Sequence, residues 1–362
     1  MNNIKQIEVI YGGALIGRLA LTKEGLCAFE YSAKWLAEGF SISPFELPLR
    51  EGVFVAKARP FDGGFGVFDD SLPDGWGLLI LDRYLQQQGI NPRKLTLLDR
   101  LALVGSTGRG ALEFRPDKSV VSQQEYADFE KLALEAERIL RSDDYVGEGI
   151  EEFQHRGGSP GGARPKIFAH HQGAEWLVKF RAKQDPKHIG QQEYEHSLLA
   201  KRCGVEMPET RLFEGKYFGV KRFDRTPSGK LHVVSVAALI GADYRTPSID
   251  YLHIFRVCAA LTHNVAELWR LYRLMVFNYL IGNKDDHAKN FAFIYRNAEW
   301  HLSPAFDLLP SDGMNGFHTT SINDSIEPTK EDLIAVAAAV GLNKKEAEEI
   351  FDTIATTIKD RR

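Results

Sequence analysis

Alternating apolar and polar positions dominate the first thirty residues. Gly12-Gly13 separates apolar runs at residues 7–11 and 15–21, and Lys23-Glu24-Gly25 precedes a third run at residues 26–31. Period-two alternation between glycine-containing turns is typical of neighbouring β-strands. We therefore predict that the chain begins with an antiparallel meander.

Apolar side chains spaced three and four residues apart predict helices further along the chain. Gly89 ends the first, and Thr96 with Asp99 forms a capping pair at the start of the second. The predicted helices span residues 76–88, 96–104, 129–141 and 191–203. Glycine- and aspartate-rich residues 61–76 are predicted to form a long structured loop with a packing or recognition role. Residues 142–165 are predicted to form a boundary or a functional loop.

The second half of the chain changes from strands to helices. Strand pairs are predicted at residues 166–170 with 175–180 and at 212–213 with 217–221, and a helix-rich stretch follows at 249–281. This order predicts an α+β protein with a small β-rich lobe and a larger helical lobe. We expect three parts: an N-terminal subdomain at 1–105, a β-rich lobe at 106–223 and a helical lobe at 224–362.

Composition restricts the function classes. The chain has 362 residues, 44% of them hydrophobic and 26% charged, with a net charge of −4. It lacks the broad basic surface of a dedicated DNA binder, although Lys221-Arg222 could bind phosphates locally. Three widely separated cysteines give no metal or disulfide pattern. With no signal peptide and no membrane-length apolar run, a cytoplasmic protein is expected.

The densest group of chemically active residues is the segment GNKDDHAKN at residues 282–290. Asp285 precedes Asn290 by the five residues that separate base and metal ligand in protein kinases, and Asp307 follows. A predicted hairpin at 291–295 and 300–302 would bring Asn290 and Asp307 together. A single Asp/Asn cluster is more often a turn or a cap. The combination instead favours phosphoryl transfer, with Mg²⁺ bound by Asn290 and Asp307.

Upstream residues match the same chemistry. Lys179 ends an apolar strand and could bind nucleotide phosphates, although a solvent-facing lysine is an equal alternative. Glu193 on the next helix is the possible lysine partner, and Glu195 competes with it. Residues 217–224 are predicted to form a hinge that binds adenine. The glycine-rich residues 157–166 could approach phosphates, and a flexible linker is the alternative.

With these segments in place, the sequence resembles the HipA family of serine/threonine kinase toxins. The resemblance covers most of the chain and rests on YGGALIGRLAL, SLPDGWG, the 159–166 loop, WLVKF, KRFDR, NKDDHAKNF and LSPAFDLLPS. It implies a two-lobed, protein-kinase-like fold. It also implies ATP and Mg²⁺ as cofactors, with Asp285 as the catalytic base and Asn290 and Asp307 as Mg²⁺ ligands that also contact ATP.

Further roles follow only from the resemblance. Lys179 is implied to contact nucleotide phosphates, the backbone of Lys221 and Phe223 to meet adenine, and His287 and Lys289 to complete the ATP site. Ser159 is implied to be autophosphorylated, within a pattern that also supplies Gly162 and Lys166 as ATP-binding residues. Pro160 and Pro165 depart from the family's loop.

The resemblance also implies a biology. A family member is expected to be the toxin of a type II toxin–antitoxin module that phosphorylates an aminoacyl-tRNA synthetase. Its expected partner is a small HipB-like helix-turn-helix antitoxin, so that DNA is contacted only indirectly. Residues 1–105 would contact the antitoxin or regulate the kinase. Two alternatives stay open: a kinase of small molecules such as antibiotics or sugars, and a non-catalytic corepressor.

Overall fold

The chain forms two compact units. The computed structural model describes residues 4–120, 128–142, 145, 147–157, 162–313 and 316–360. One unit contains residues 1–191 and 209–232, and the other contains residues 192–208 and 233–362. The predicted division at residues 105 and 223 is finer than this and stays a prediction.

The N-terminal part of the first unit is built around a five-stranded antiparallel sheet in the order β4-β3-β2-β1-β5. The predicted meander of three strands is confirmed. The elements are β1 (Gln6–Tyr11), β2 (Ala14–Leu21), β3 (Cys27–Tyr31), α1 (Ala33–Glu38), β4 (Val53–Val55), α2 (Gly66–Asp69), α3 (Gly75–Gln87), α4 (Leu97–Val104) and β5 (Leu112–Arg115).

Local sequence explains two of these helices. The predicted Thr96–Asp99 pair forms a capping box at the start of α4. Residues 61–76, predicted to be one long loop, instead contain α2 and the start of α3. Phe65 and Phe68 are buried there, and this packing makes the segment helical although it is rich in glycine.

The remainder of the first unit contains a four-stranded antiparallel sheet in the order β6-β7-β9-β8. The elements in this part of the chain are α5 (Phe129–Arg141), α6 (Glu148–Gly157), β6 (Lys166–His171), β7 (Ala174–Lys179), α7 (Ile189–Arg202), β8 (Thr210–Phe213), β9 (Tyr217–Lys221), β10 (Arg225–Thr226) and β11 (Gly229–Lys230). Helix α7 crosses into the second unit after Gln191.

Helix α6 corrects a prediction. Residues 142–165 were expected to form a boundary or loop, but Ile150 and Phe153 of α6 are buried in the core of the first unit. Trp76 of α3 packs edge-on against Phe153, with ring centroids 5.1 Å apart. Packing against α3 and β6 therefore stabilises a helix whose own apolar pattern is weak.

The second unit surrounds the small sheet β12-β14-β15 with helices. Its elements are β12 (His232–Ser235), whose first residue belongs to the first unit, and then α8 (Val236–Ile240), β13 (Ile249–Asp250), α9 (Tyr251–Thr262), α10 (Val265–Ile281), β14 (Ala292–Arg296), β15 (Glu299–Leu302), β16 (Thr320–Ser321), α11 (Lys330–Ala339) and α12 (Lys344–Lys359). The predicted hairpin is confirmed as β14 and β15. Asn297 and Ala298 both have positive φ in its tight turn. No helix in the described ranges is long and apolar enough to cross a membrane.

Candidate phosphoryl-transfer site

The segment with the predicted base begins where α10 ends. Gly282 adopts a left-handed conformation with φ +71° and terminates the helix. The next residues, 283–287, belong to no helix or strand, and their side chains differ in burial. Asp285 is exposed, whereas Asp286 is completely buried. The predicted base therefore lies on the surface of the second unit, and its neighbour anchors the segment inside.

Asn290 is tied to the predicted base. Its Nδ2 donates a hydrogen bond to the Asp285 backbone carbonyl at 2.7 Å. Because the amide nitrogen is used in this way, its oxygen is the atom that remains suited to a cation. The five-residue spacing thus has a local structural cause, and the orientation fits the predicted role of Asn290 as a Mg²⁺ ligand.

Asp307 follows the β14–β15 hairpin and is exposed. Its backbone adopts an uncommon left-handed conformation with φ +55°. Asn283 holds this backbone in place, because its Nδ2 donates to the Asp307 carbonyl at 3.2 Å. The two segments predicted to bind Mg²⁺ are therefore joined through the start of the 283–290 loop.

The predicted donor set is of a kind that magnesium uses at phosphoryl-transfer sites. In the part of the chain that the structure describes, no group of three or more His, Cys, Asp or Glu side chains could hold a metal ion. Mg²⁺ at phosphoryl-transfer sites takes only one or two protein carboxylates and completes its shell with phosphate oxygens and water. The predicted pair, one amide oxygen and one carboxylate, fits that chemistry.

Cationic and aromatic side chains flank the same loop. Lys289 Nζ lies 4.1 Å from the ring centroid of Tyr244, and Arg245 Cζ lies 4.8 Å from it. The His287 ring lies 5.9 Å from Tyr244, and its buried Nδ1 has no hydrogen-bond partner among the described residues. Tyr244 was not predicted, since a tyrosine on a distant loop has no spacing relation to the 282–290 segment.

Two predicted phosphate-binding lysines are neighbours in the first unit. Lys166 and Lys179 are directly paired across β6 and β7, and only 3% and 8% of their surfaces are exposed. Like charges at opposed positions of a sheet repel each other. The structure thus places together two residues that the sequence predicted separately.

Gly162 lies beside this lysine pair. It has φ +93°, and a Cβ atom there would come within 2.6 Å of Lys166 Nζ. Gly162 N–H donates to the Asp74 carboxylate, and Trp76 N–H donates to the Gly162 carbonyl at 3.0 Å. Residues 74–76, the DGW turn, therefore bind Gly162 of the glycine-rich segment. Ser159 lies outside the described residues.

Some polar groups of the predicted hinge at residues 217–224 already form hydrogen bonds within the protein. Lys221 N–H donates to the Glu209 carbonyl at 2.9 Å, so an adenine contact would have to use the Lys221 carbonyl. Its side chain pairs with Glu209 at 3.2 Å. Phe223 is half-buried.

Arg222 corrects the expectation that Lys221-Arg222 could bind phosphates. Its guanidinium is buried and donates to both carboxylate oxygens of Asp224 at 3.0 and 2.7 Å and to Glu175 at 3.1 Å. Burial alone would raise the pKa of Asp224, but the guanidiniums of Arg222 and Arg225 outweigh it and hold that pKa well below its usual range. Arg222 is therefore a structural residue.

The two candidate glutamate partners for Lys179 lie on α7 and differ in burial. Glu193 is buried, whereas Glu195 is exposed. A buried carboxylate needs a partner, which favours Glu193 for the predicted role.

Comparisons with known proteins identify the family. A family model described as the HipA N-terminal domain matches residues 7–115, and one described as the HipA-like C-terminal domain matches residues 158–362. The second alone covers more than half of the chain. The chain belongs to the HipA family. The resemblance stated from the sequence motifs is confirmed.

Two relatives match over most of the chain. "Putative kinase Y4dM" of Sinorhizobium fredii is 26% identical, with 99% of this chain and 91% of that protein covered. "Serine/threonine-protein kinase toxin HipA" of Shewanella oneidensis is 23% identical, with 89% and 79% covered.

A solved complex of Shewanella oneidensis HipA, HipB and operator DNA supplies a structural match. It has a TM-score of 0.74 at 20% identity, with 98% of this chain and 89% of that chain covered. This match confirms the predicted α+β, HipA-like fold.

Proposed function

We propose that this protein is an ATP-dependent serine/threonine protein kinase and the toxin of a type II toxin–antitoxin module. The decisive observation is the loop after α10, which exposes Asp285 while the Asn290 amide binds the Asp285 carbonyl. This arrangement suits a base beside a metal ligand. Membership of the HipA family and the buried Lys166–Lys179 pair support the proposal.

The proposed reaction uses few protein groups. The oxygen of a serine or threonine hydroxyl forms a bond to the γ-phosphorus of ATP, the bond from that phosphorus to the β–γ bridging oxygen breaks, and ADP leaves. Asp285 accepts the hydroxyl proton. Asn290 and Asp307 would hold Mg²⁺, which neutralises charge on the phosphates. Lys166 and Lys179 would bind the phosphates as cations, with Gly162, His287 and Lys289 completing the site.

The proposed partners follow from the family. A small HipB-like antitoxin that binds operator DNA is the expected partner, and the solved complex of HipA, HipB and DNA supports this choice. The proposed substrate is an aminoacyl-tRNA synthetase, and Ser159 is the proposed site of autophosphorylation. Its phosphate would add roughly two negative charges to the sequence segment that also supplies Gly162 and Lys166.

The test is phosphate transfer from labelled ATP by purified protein, alone and with bacterial lysate. We expect labelled Ser159 and one labelled synthetase, and a loss of about 10²–10⁴-fold in rate for Asp285→Asn, because a general base contributes that much. Asp352→Asn, an exposed carboxylate on α12, is the matched control and should behave as wild type. Intact mass after ATP exposure, with Ser159→Ala beside it, reports autophosphorylation.

Three outcomes would contradict the proposal. Equal activity of Asp285→Asn and wild type would remove Asp285 from the mechanism. ATP turnover only with a small hydroxylated compound would favour a small-molecule kinase. Tight antitoxin binding without measurable ATP or Mg²⁺ affinity in calorimetry would favour a corepressor.

A further inference from the structure

Asp286 is a fully buried carboxylate directly beside the exposed Asp285. Its Oδ1 accepts hydrogen bonds from the backbone N–H groups of Thr319 at 3.1 Å and Thr320 at 3.2 Å. Its Oδ2 accepts from Tyr251 Oη at 3.1 Å and lies 2.9 Å from His318 Nδ1. Four contacts fill the acceptor capacity of a carboxylate and offset the cost of burying it.

These contacts attach a later segment of chain to the 283–290 loop. Thr320 Oγ1 donates to the Asp286 carbonyl. Thr319 N–H and Oγ1 both donate to the Lys284 carbonyl at 3.0 Å, and Lys284 Nζ donates to the Gly316 carbonyl at 2.8 Å. Residues 316–320 follow Asp307 in the chain, so they correspond in position to the segment that kinases place after their metal-binding aspartate.

A second path leads from Asp286 to Asp307. Tyr251 Oη accepts from Asn278 Nδ2 at 3.2 Å, and Asn278 Oδ1 accepts from Asn283 Nδ2 at 3.0 Å. Asn283 Nδ2 also donates to the Asp307 carbonyl at 3.2 Å. The side chains on this path are buried, so water does not compete for their hydrogen bonds and the path is rigid.

We infer that Asp286 is the positioning residue of the phosphoryl-transfer centre. Its carboxylate fixes the Asp285 loop relative to residues 316–320 and, through Tyr251, Asn278 and Asn283, relative to Asp307. Many kinases order the corresponding segment by phosphorylating it and pairing the phosphate with arginine. Here the buried Asp286 carboxylate accepts hydrogen bonds from the backbone N–H groups of Thr319 and Thr320. The centre is therefore assembled without phosphorylation of this segment. The inference rests on the proposed function.

The test replaces Asp286 by asparagine, which keeps the shape and puts an NH₂ group where one oxygen accepted hydrogen bonds. We expect kcat to fall about 10²-fold with the KM for ATP changed less than about 3-fold, because small displacements of a base have effects of this size. Hydrogen exchange at the Thr319 and Thr320 amides should become faster. Tyr251→Phe, which removes one donor, should lower kcat about 5-fold and serves if Asp286→Asn fails to fold.

Glu267→Gln is the matched control. Glu267 is also a buried carboxylate of the second unit, and it accepts from Leu302 N–H at 3.3 Å and contacts His301 and Arg270. The Glu267→Gln change should lower the stability of the protein. It should leave kcat and the hydrogen exchange at the amides of residues 319 and 320 unchanged. An equal loss of kcat in Glu267→Gln, or wild-type kcat in Asp286→Asn, would overturn the inference.

The failure of the two proposals can be told apart. Wild-type protein that phosphorylates nothing contradicts the proposed function, whatever Asp286 does. Hydrogen exchange at the amides of residues 319 and 320 still tests whether Asp286 anchors this segment. Unchanged exchange in Asp286→Asn would contradict the anchoring role without any activity measurement.

Discussion

Tyr244 is the aromatic surface against which Lys289 of the proposed catalytic loop packs. A lysine ammonium at 4.1 Å from a ring centroid gains about 0.5–2 kcal/mol, depending on its exposure to water. We expect Tyr244→Leu to raise the KM for ATP about 3- to 10-fold, because Lys289 loses a fixed position. Tyr244→Phe keeps the ring and should stay within about 2-fold of wild type. Steady-state kinetics with ATP varied measures both.

The Tyr244→Phe variant distinguishes the contribution of the Tyr244 ring from that of its hydroxyl group. If Tyr244→Phe is as impaired as Tyr244→Leu, the hydroxyl group matters and the ring does not. If neither variant changes the KM, Lys289 is positioned by other contacts.

The sequence predicted those site residues whose structural relation is local. Asn290 binds the carbonyl of a residue five positions before it, so their spacing was visible. The sequence shows Asp286 next to Asp285 but does not indicate the role of Asp286. Its partners include Tyr251 and residues 318–320, far away in sequence, and hydrogen bonds over such separations leave no spacing pattern. Tyr244 was missed for the same reason.

At the scale of elements, the DGW turn replaces an ordinary helix cap by a contact with another loop. Asp74 is the N-cap of α3, yet its side chain makes no capping hydrogen bond and instead accepts from Gly162 N–H. Gly75 has φ +47°, and a Cβ there would approach the Gly162 carbonyl to 2.5 Å. The SLPDGWG segment, which the sequence only marked as structured, is thus explained by its contact with the glycine-rich loop.

This contact predicts the behaviour of one amide. A hydrogen bond to a charged acceptor contributes about 1.5–3 kcal/mol, so Asp74→Ala should speed hydrogen exchange at Gly162 about 10-fold or more. Asp74→Asn keeps an acceptor oxygen and should have a smaller effect. Native-state exchange followed by mass spectrometry measures both. Unchanged exchange in Asp74→Ala would show that Trp76 alone holds the loop.

Helix α6 shows where element prediction ends. Its sequence, EGIEEFQHRG, has two large apolar residues, too few for a clear helical period. Both are buried in the core of the first unit, against side chains from α3, α5 and β6. Helices α3, α4, α5 and α7 were predicted because their own patterns sufficed, whereas α6 depends on packing that sequence does not reveal.

At the scale of the whole molecule, buried His232 and half-buried Glu46 of the first unit change stability with pH in opposite directions. Burial lowers the pKa of His232 from its ordinary 6.5 to about 4, although its bond to the Ile42 carbonyl opposes this. Burial raises the pKa of Glu46 from 4.5 to about 7, against the Gly66 N–H that donates to it. Both shifts fall in the range of pH between 4 and 7.

The sign of each effect follows from which state binds the proton more tightly. Unfolded protein binds it more tightly at His232, so His232 lowers stability as pH falls from 6.5 towards 4. Folded protein binds it more tightly at Glu46, so Glu46 lowers stability as pH rises from 4.5 towards 7. Between pH 4.5 and 6.5 the two slopes oppose each other, and their sum is expected to be nearly flat.

Replacing one of the two residues should reveal how the other changes folding stability with pH. In Glu46→Gln, stability should fall relative to wild type as pH decreases from 6.5 to 4.5, by at most about 1.4 kcal/mol per pH unit. His232→Gln should show the opposite trend, and the double variant should again run parallel to wild type. Urea unfolding followed by tryptophan fluorescence at several pH values measures these differences, in which all other titrating groups cancel. Parallel curves for both single variants would mean that neither pKa is shifted by burial.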